Sequence, residues 1–393
     1  MDKAYILQPG RKFIIGTLEV KDGRFAAINP AEGAADKLIL PGLRNCHGHT
    51  AMTLVRGTGS GLPLQRWLEE AIFPVEAKMS ADDVYAGTLW GTLEMLAGGT
   101  TEVIDMYDFP AECERAFNEL GIKGSVSRVG LSFIPNRLEE AIRFAEEHPL
   151  SHVSVHSEYL TDEKYCRGLA EANRRLKHFL NVHVSETEKE HAECLQRHGR
   201  TPIAYLKDTG LLDNGGYAAH CVYATDDDFR IMADYGIALV HNPSSNMKLG
   251  SGFARIDRAL ELGVTVRLGT DGCASNDNLD MFEEMHLASL IAKGVSRNPT
   301  RLNAWETLEM ALGGNTIEVG READFFVVDL KRLHLQPIGE DLANLIVYSM
   351  HASDVVETYV RGEKLYDHGT FPKADVDKIK EVFDAGVRHC HGR

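Results

Sequence analysis

Eight short apolar runs recur between residues 38 and 269, and each is followed by a segment of helical periodicity. The runs are Leu38–Cys46, Glu102–Met106, Gly124–Leu131, His152–His156, Phe179–Val184, Gly216–His220, Ile237–His241 and Thr265–Gly269. Runs of this length and composition read as strands, and the intervals between them are long enough for helices. Strands that alternate with helices form a parallel sheet. Eight such units fit an α/β fold closed as a (β/α)8 TIM-type barrel better than an open doubly wound sheet. The clearest helix opens at Ser80, an N-cap with Asp82 and Asp83 in the first turn. It carries Tyr85, Leu89, Leu93 and Leu96 on one face and stops at Gly98-Gly99.

The two ends of the chain break this rhythm. Apolar clusters at 4–7 and 12–20 lead through an Asp22-Gly23 turn to Phe25–Ile28. Strand character returns at Ala323–Leu330, Val355–Arg361 and Lys364–Tyr366. Neither set has enough strands to bury a face alone. The expectation is one small β-sandwich module built from residues 1–40 and 318–393, flanking a barrel of residues 41–317. Residues 374–390 read as an amphipathic helix, and the final RHCHGR, with His389 and His391, as a solvated tail.

Charge narrows the function. Lys and Arg total 42 against 58 Asp and Glu, a net charge of −16, whereas nucleic acids and anionic membranes require a basic face. No apolar run approaches the roughly 18 residues of a membrane span, and the opening MDKAYILQPGRKFIIG has no signal-peptide core. The seven cysteines (46, 113, 166, 194, 221, 273 and 390) form no CxxC pair and read as free thiols in a reducing cytosol. The expectation is a cytoplasmic protein with a small-molecule partner. Whether it is a homo-oligomer is left open.

In such a barrel the C-terminal ends of the strands carry the chemistry. The first predicted strand ends in LPGLRNCHGH, with His47 and His49 two apart, so that strand alternation turns both imidazoles the same way. The fifth ends in LNVHVSE, giving His183 and, three residues on, Glu186. The sixth ends in YAAH, giving His220, and the eighth in LGTD, giving Asp271. One HxH pair is weak; four imidazoles and a carboxylate on one rim are not. Neutral imidazole with carboxylate suits one borderline divalent ion, zinc first and ferrous iron as the alternative.

The ordered motifs PGLxNxHxH, HVSETxxE, AHC, HNPSSNMKLGSG and GTDGxASN resemble the amidohydrolase superfamily. Within it, the likeness is to the branch of S-adenosylhomocysteine/5′-methylthioadenosine deaminases and related nucleoside deaminases. The resemblance covers nearly the whole chain. It implies a single metal held by His47, His49, His183 and Asp271, with His220 touching the reacting water and Glu186 shuttling protons to the substrate ring. In the long first loop it implies that Trp67 packs against the substrate and that Glu76 takes the ribose 2′- and 3′-hydroxyls. Arg128 and Arg137 match arginines directed at the carboxylate of a homocysteine-type tail, and His156 matches a base-contacting histidine. Binuclear relatives carry a carboxylated lysine at the end of the fourth strand. Here HVSVHSEYL offers His156 and no lysine, which favours one ion.

The chemistry agrees with deamination. A divalent ion lowers the pKa of a water toward neutrality. An aromatic amidine carbon accepts a nucleophile poorly until its neighbouring ring nitrogen is protonated, and Glu186 is placed to supply that proton. A related aminohydrolase or chlorohydrolase of guanine- or triazine-like rings is the alternative, but such rings have no ribose diol for Glu76. A non-catalytic scaffold fits poorly, because every metal ligand is present. The 5′ substituent (methylthio, homocysteinyl, hydroxyl or hydrogen) is not fixed. Asn242, Ser245 and Asn246 are expected to shape a loop, and WETLEMALGGNTIEVGREADF is short for the family and predicts a tight return to the β module.

Overall fold

The computed structural model describes residues 1–392. Its centre is a parallel barrel of eight strands: Leu43–His49, Thr100–Tyr107, Lys123–Arg128, Val153–Val155, Leu180–Val184, Gly216–His220, Ile237–His241 and Val266–Leu268. Strands one to three and four to eight pair in parallel. Looser bonds close the two seams. Between strands three and four, His156 N donates to Gly130 O at 3.0 Å and Ser154 Oγ to Arg128 O at 2.6 Å. Between strands eight and one, Thr270 N donates to Asn45 Oδ1 at 3.0 Å and Asn45 Nδ2 returns a bond to Thr270 Oγ1 at 2.7 Å.

The first predicted strand is divided in two. Lys37–Pro41 belongs to an outer sheet, antiparallel to Phe325–Asp329 and parallel to Ala4–Gln8, and the barrel begins only at Leu43. Gly42 lies at the crossing between them. A Cβ there would come within 2.0–2.6 Å of the Thr101 side chain, so no larger residue passes between outer sheet and barrel.

Strands from both termini form one mixed seven-stranded sheet, in contrast to the two stacked sheets of the expected sandwich. The sheet curls, and the Gly23 turn meets the Arg361 backbone at its far end. Alternation gives its two faces separate cores. Phe325 and Val327 pack inside the curl with Ile6, Leu18 and Phe25. Phe326 and Val328 face the barrel, where Phe326 meets Phe282 at 6.0 Å between ring centres. Each such buried side chain contributes about 1.5–3 kcal/mol from burial, which binds the module to the barrel.

The helix expected from Ser80 spans Ala81–Ala97, and Ser80 and Asp83 cap it reciprocally. The last helix, Val376–His391, runs further than expected and packs on it through Trp90 and Phe383, whose ring centres are 4.8 Å apart. The terminal histidines therefore belong to this helix and have hydrogen-bond partners, although His389 remains more than half exposed. His389 Nδ1 lies 2.7 Å from Asp83 Oδ2, and His391 Nε2 lies 3.0 Å from Leu54 O. The shortened segment returns from the helix Ala304–Leu312 through Gly313-Gly314, and Asn315 Nδ2 anchors it to Gly42 O at 2.9 Å. Among the described residues, no helix is long and apolar enough to cross a membrane, and all seven cysteines are unpaired and buried.

Candidate active site

Strand one reaches the barrel mouth through a bulge. Its register with strand two shifts between Asn45 and Gly48. Cys46 packs with Ile104 and Val240 of strands two and seven, so it faces the barrel interior. His47 also faces inward, with its ring centre 4.8 Å from that of His183 and 5.8 Å from that of His220. Two consecutive inward residues require the extra residue of a bulge, and bulges commonly re-aim side chains beside active sites. Alternation then holds for His47 and His49, as the sequence predicts.

The other groups sit on turns in the left-handed region. Ser185, His220 and Asp271 have φ of 51°, 72° and 60°, at the ends of strands five and six and just past strand eight. Asp271 does not end strand eight itself. It follows three residues later, in a two-residue segment paired with strand one.

His47, His49, His183 and Asp271 are all buried, and their donor atoms all lie within 4.8 Å of one another. His49 Nδ1 lies 2.6 Å from Met106 O and His183 Nδ1 lies 2.7 Å from His156 O. A carbonyl only accepts, so each Nδ1 carries a proton and each Nε2 is left as the atom that faces the other donors. Those two Nε2 atoms face each other at 3.0 Å, and His49 Nε2 is 3.2 Å from Asp271 Oδ1. Neither ring nitrogen of buried His47 makes a hydrogen bond. Burial works to lower the His49 pKa, but the hydrogen bond and charge of Asp271 outweigh it and push it up to about 9, so a divalent ion would take the place of that proton among these donors, and an imidazole-carboxylate set suits such an ion. The residues fit a metal ion.

The loops around these donors aim them. Asp271 Oδ2 accepts from Ser245 Oγ at 2.7 Å and Ser275 Oγ at 3.0 Å, which leaves Oδ1 for the histidines. Burial works to raise the Asp271 pKa, but the imidazoles of His47 and His49 outweigh it and hold the carboxyl well below its usual range. His220 Nδ1 lies 2.8 Å from Asn246 Oδ1, and its Nε2 lies 3.7 Å from Glu186 Oε2. Burial lowers the His220 pKa and keeps the ring neutral. Ser245 and Asn246, expected only to shape a loop, thus orient Asp271 and His220 directly. Such supporting contacts are a regular part of metal sites.

Glu186 is buried beside the donor set, and burial together with the charge of Asp271 pushes its carboxyl up to about 8. A value near neutrality is what proton transfer at working pH requires. Its backbone is clamped by Glu190, which accepts from Ser185 N at 2.8 Å and Glu186 N at 2.7 Å. Glu190 closes the HVSETxxE motif, yet nothing in its sequence position announced this role.

The same cavity is lined by Trp67, Glu76 and His156. Trp67 is fixed by Nε1 donating to Thr58 O at 3.1 Å, and Gly59 is needed beside it because a Cβ there would lie 2.7 Å from the indole. Glu76 accepts from Tyr107 OH at 2.7 Å, and burial pushes its carboxyl up to about 7. Tyr107, at the end of strand two, had no signal in the sequence. His156 packs against His183 with the rings tilted by 41° and their centres 4.6 Å apart, and burial holds it neutral. Arg128 and Arg137 stand apart from this group. Arg128 pairs with Glu140 at 2.6 Å, and buried Arg137 pairs with Asp108. Neither lines the cavity.

A parallel barrel with three imidazoles and a carboxylate converging at its strand ends defines a metal-dependent hydrolase of the TIM-barrel class. The chain matches the amidohydrolase family over residues 38–365, and it belongs to that family. It is 38% identical over 382 residues to a 5-methylthioadenosine/S-adenosylhomocysteine deaminase of Acetivibrio thermocellus, covering 92% of this chain and 88% of that one. It is also 38% identical over 396 residues to a 5′-deoxyadenosine deaminase of Methanosarcina acetivorans, covering 93% and 91%. Among solved structures, an adenosine deaminase of Xanthomonas campestris with bound zinc superposes with a TM-score of 0.92 at 29% identity, over 100% of this chain and 98% of the other.

Proposed function

We propose that the protein is a zinc-dependent hydrolytic deaminase that converts an adenosine-type nucleoside to its inosine analogue and ammonia, in the cytoplasm. One observation carries this reading: a buried donor set of His47, His49, His183 and Asp271 shares one floor with Glu186, and a second carboxyl, Glu76, lines the same cavity. The ion, when bound, supplies Lewis acidity that brings a water's pKa toward neutrality. His220, with Nδ1 committed to Asn246, has its Nε2 lone pair free as a base. Together with Asp271 it takes a proton from the attacking water. Glu186 gives a proton to the ring nitrogen beside the amino-bearing carbon, which makes that carbon electrophilic. After addition, the protonated amine leaves as ammonia. Trp67 and His156 hold the base, and Glu76 accepts the vicinal ribose hydroxyls. The zinc-bound adenosine deaminase of similar fold and the deaminase names of the relatives support the reading. The unpaired thiols suit a reducing compartment. Ammonia release across a panel of adenosine derivatives, with metal content measured on the same sample, tests the proposal. Release from guanine or an aminotriazine but from no nucleoside would overturn it.

A further inference from the structure

Beyond Glu76 the cavity changes character. Asp108 follows Tyr107, and its charge is near enough to raise the Glu76 pKa further. This side of the mouth, formed after strands two and three, lies across the barrel from Glu186 and His220 after strands five and six. Phe109, Phe133 and Ile134 line it. Phe109 is 39% and Phe133 62% exposed, so both rings present apolar surface to water at the mouth. The cations here are already spent. Arg128 contacts Glu140 at 2.6 Å and Asp108 at 3.8 Å, while Arg137 contacts Asp108 and, at 4.0 Å, Glu140. Two guanidiniums against two carboxylates leave no net positive charge, and it is Asp108, not an arginine, that lines the cavity.

A nucleoside with its amino-bearing carbon over the donor set and its diol on Glu76 directs its 5′ substituent toward this side. We infer that this end of the site selects a neutral, apolar 5′ substituent, methylthio or hydrogen, and discriminates against a homocysteinyl tail. The inference rests on the nucleoside reading above. A tail carboxylate would meet Asp108 and would have to break an existing arginine pair to gain a cation, a desolvated like-charge contact of the kind that enforces specificity. An apolar group instead takes Phe109 and Phe133 out of water.

The test measures kcat/KM of the metal-loaded enzyme on 5′-methylthioadenosine, 5′-deoxyadenosine, adenosine and S-adenosylhomocysteine. It also measures Kd by calorimetry for the matching inosine products. The methylthio compound should exceed the homocysteinyl one by about 10-fold or more in both readouts, the scale on which a pocket distinguishes such groups. Asp108→Asn should move that ratio toward the homocysteinyl compound by about 10-fold, because it frees Arg137. Phe133→Ala, at an exposed position that tolerates change, should lower kcat/KM for the methylthio substrate by about 5- to 10-fold and for adenosine by less. Parity or preference for the homocysteinyl compound, or a ratio that neither variant moves, would overturn the inference. If no nucleoside is turned over, it is the deaminase reading that fails, and the product-binding ratio still decides the selectivity.

Discussion

The floor and the wall of the cavity are built by different means. On the floor, His47, His49, His183 and His220 stand at strand ends and Asp271 just past one, and each is oriented by a bond to a carbonyl, amide or hydroxyl or by packing among its neighbours. On the wall, Trp67 and Glu76 come from the long first loop, and Asp108, Phe109 and Phe133 from the turns after strands two and three. The floor holds imidazoles and a carboxylate gathered around a place for a cation. The wall holds ion pairs already satisfied and apolar surface still uncovered. On the proposed reading, chemistry belongs to the scaffold and selection to the loops, which in general vary more freely than the elements they join.

The largest effect should come from the floor. Asp271→Ala removes the one carboxylate of the donor set, so bound metal should fall toward zero by elemental analysis. Turnover should drop by more than about 10³-fold, since without the ion no water ionises near neutrality. A variant that keeps its metal and its activity would break the division between floor and wall. Next comes Glu186→Gln. Turnover should fall by about 10²- to 10⁴-fold with metal content unchanged, the range of general acid–base catalysis. Loss of the metal would make Glu186 a ligand instead.

The same division explains what was legible in the sequence. Strand ends are read by counting, because alternation fixes direction, and the barrel's functional groups must fall there; His47, His49, His183 and His220 did. Three things escaped. The bulge that turns both Cys46 and His47 inward leaves no mark in composition. The split of Leu38–Cys46 at Gly42 depends on the distant Thr101 side chain, and a local pattern does not show it. Tyr107, Ser245 and Asn246 gain their roles from partners on other loops, and Arg128 and Arg137 gain theirs from Asp108 and Glu140. Residues that act through a long-range partner are silent until the fold supplies it. For the same reason the sequence does not show the contact of His389, because its partner Asp83 lies 306 residues away.

A test on the wall sharpens the contrast. If Glu76 accepts two ribose hydroxyls, Glu76→Ala should lower kcat/KM by about 10- to 150-fold per lost bond, since a hydrogen bond to a charged group contributes about 1.5–3 kcal/mol. Metal content should not change. A 2′,3′-dideoxy substrate should show a similar loss with the unmutated enzyme and little further loss with the variant. Independent effects would remove Glu76 from the ribose. Burial raises this carboxyl to about 7, and only its ionised form accepts both hydroxyls. Activity on nucleosides should therefore rise as pH increases through about 7, and Glu76→Ala should lose that limb of the profile.

The smallest expected effect tests whether the floor's precision depends on groups that never touch the substrate. Glu190 accepts the amide hydrogens of Ser185 and Glu186 and so stabilises the left-handed turn that points Glu186 at the donor set. Glu190→Gln exchanges one acceptor oxygen for a donating amide, which leaves one buried N–H facing another donor at a cost of about 1–3 kcal/mol. The turn should relax by a fraction of an ångström. If Glu186 acts in the chemical step, kcat should fall by about 5- to 20-fold while KM and metal content hold, as expected when a catalytic group is slightly misplaced. A merely structural role would lower the melting temperature alone and leave kcat intact. The double variant decides between them. If Glu190 acts through Glu186, then Glu190→Gln should cost nothing further once Glu186 is already Gln, whereas additive losses would show that the clamp serves some other part of the floor.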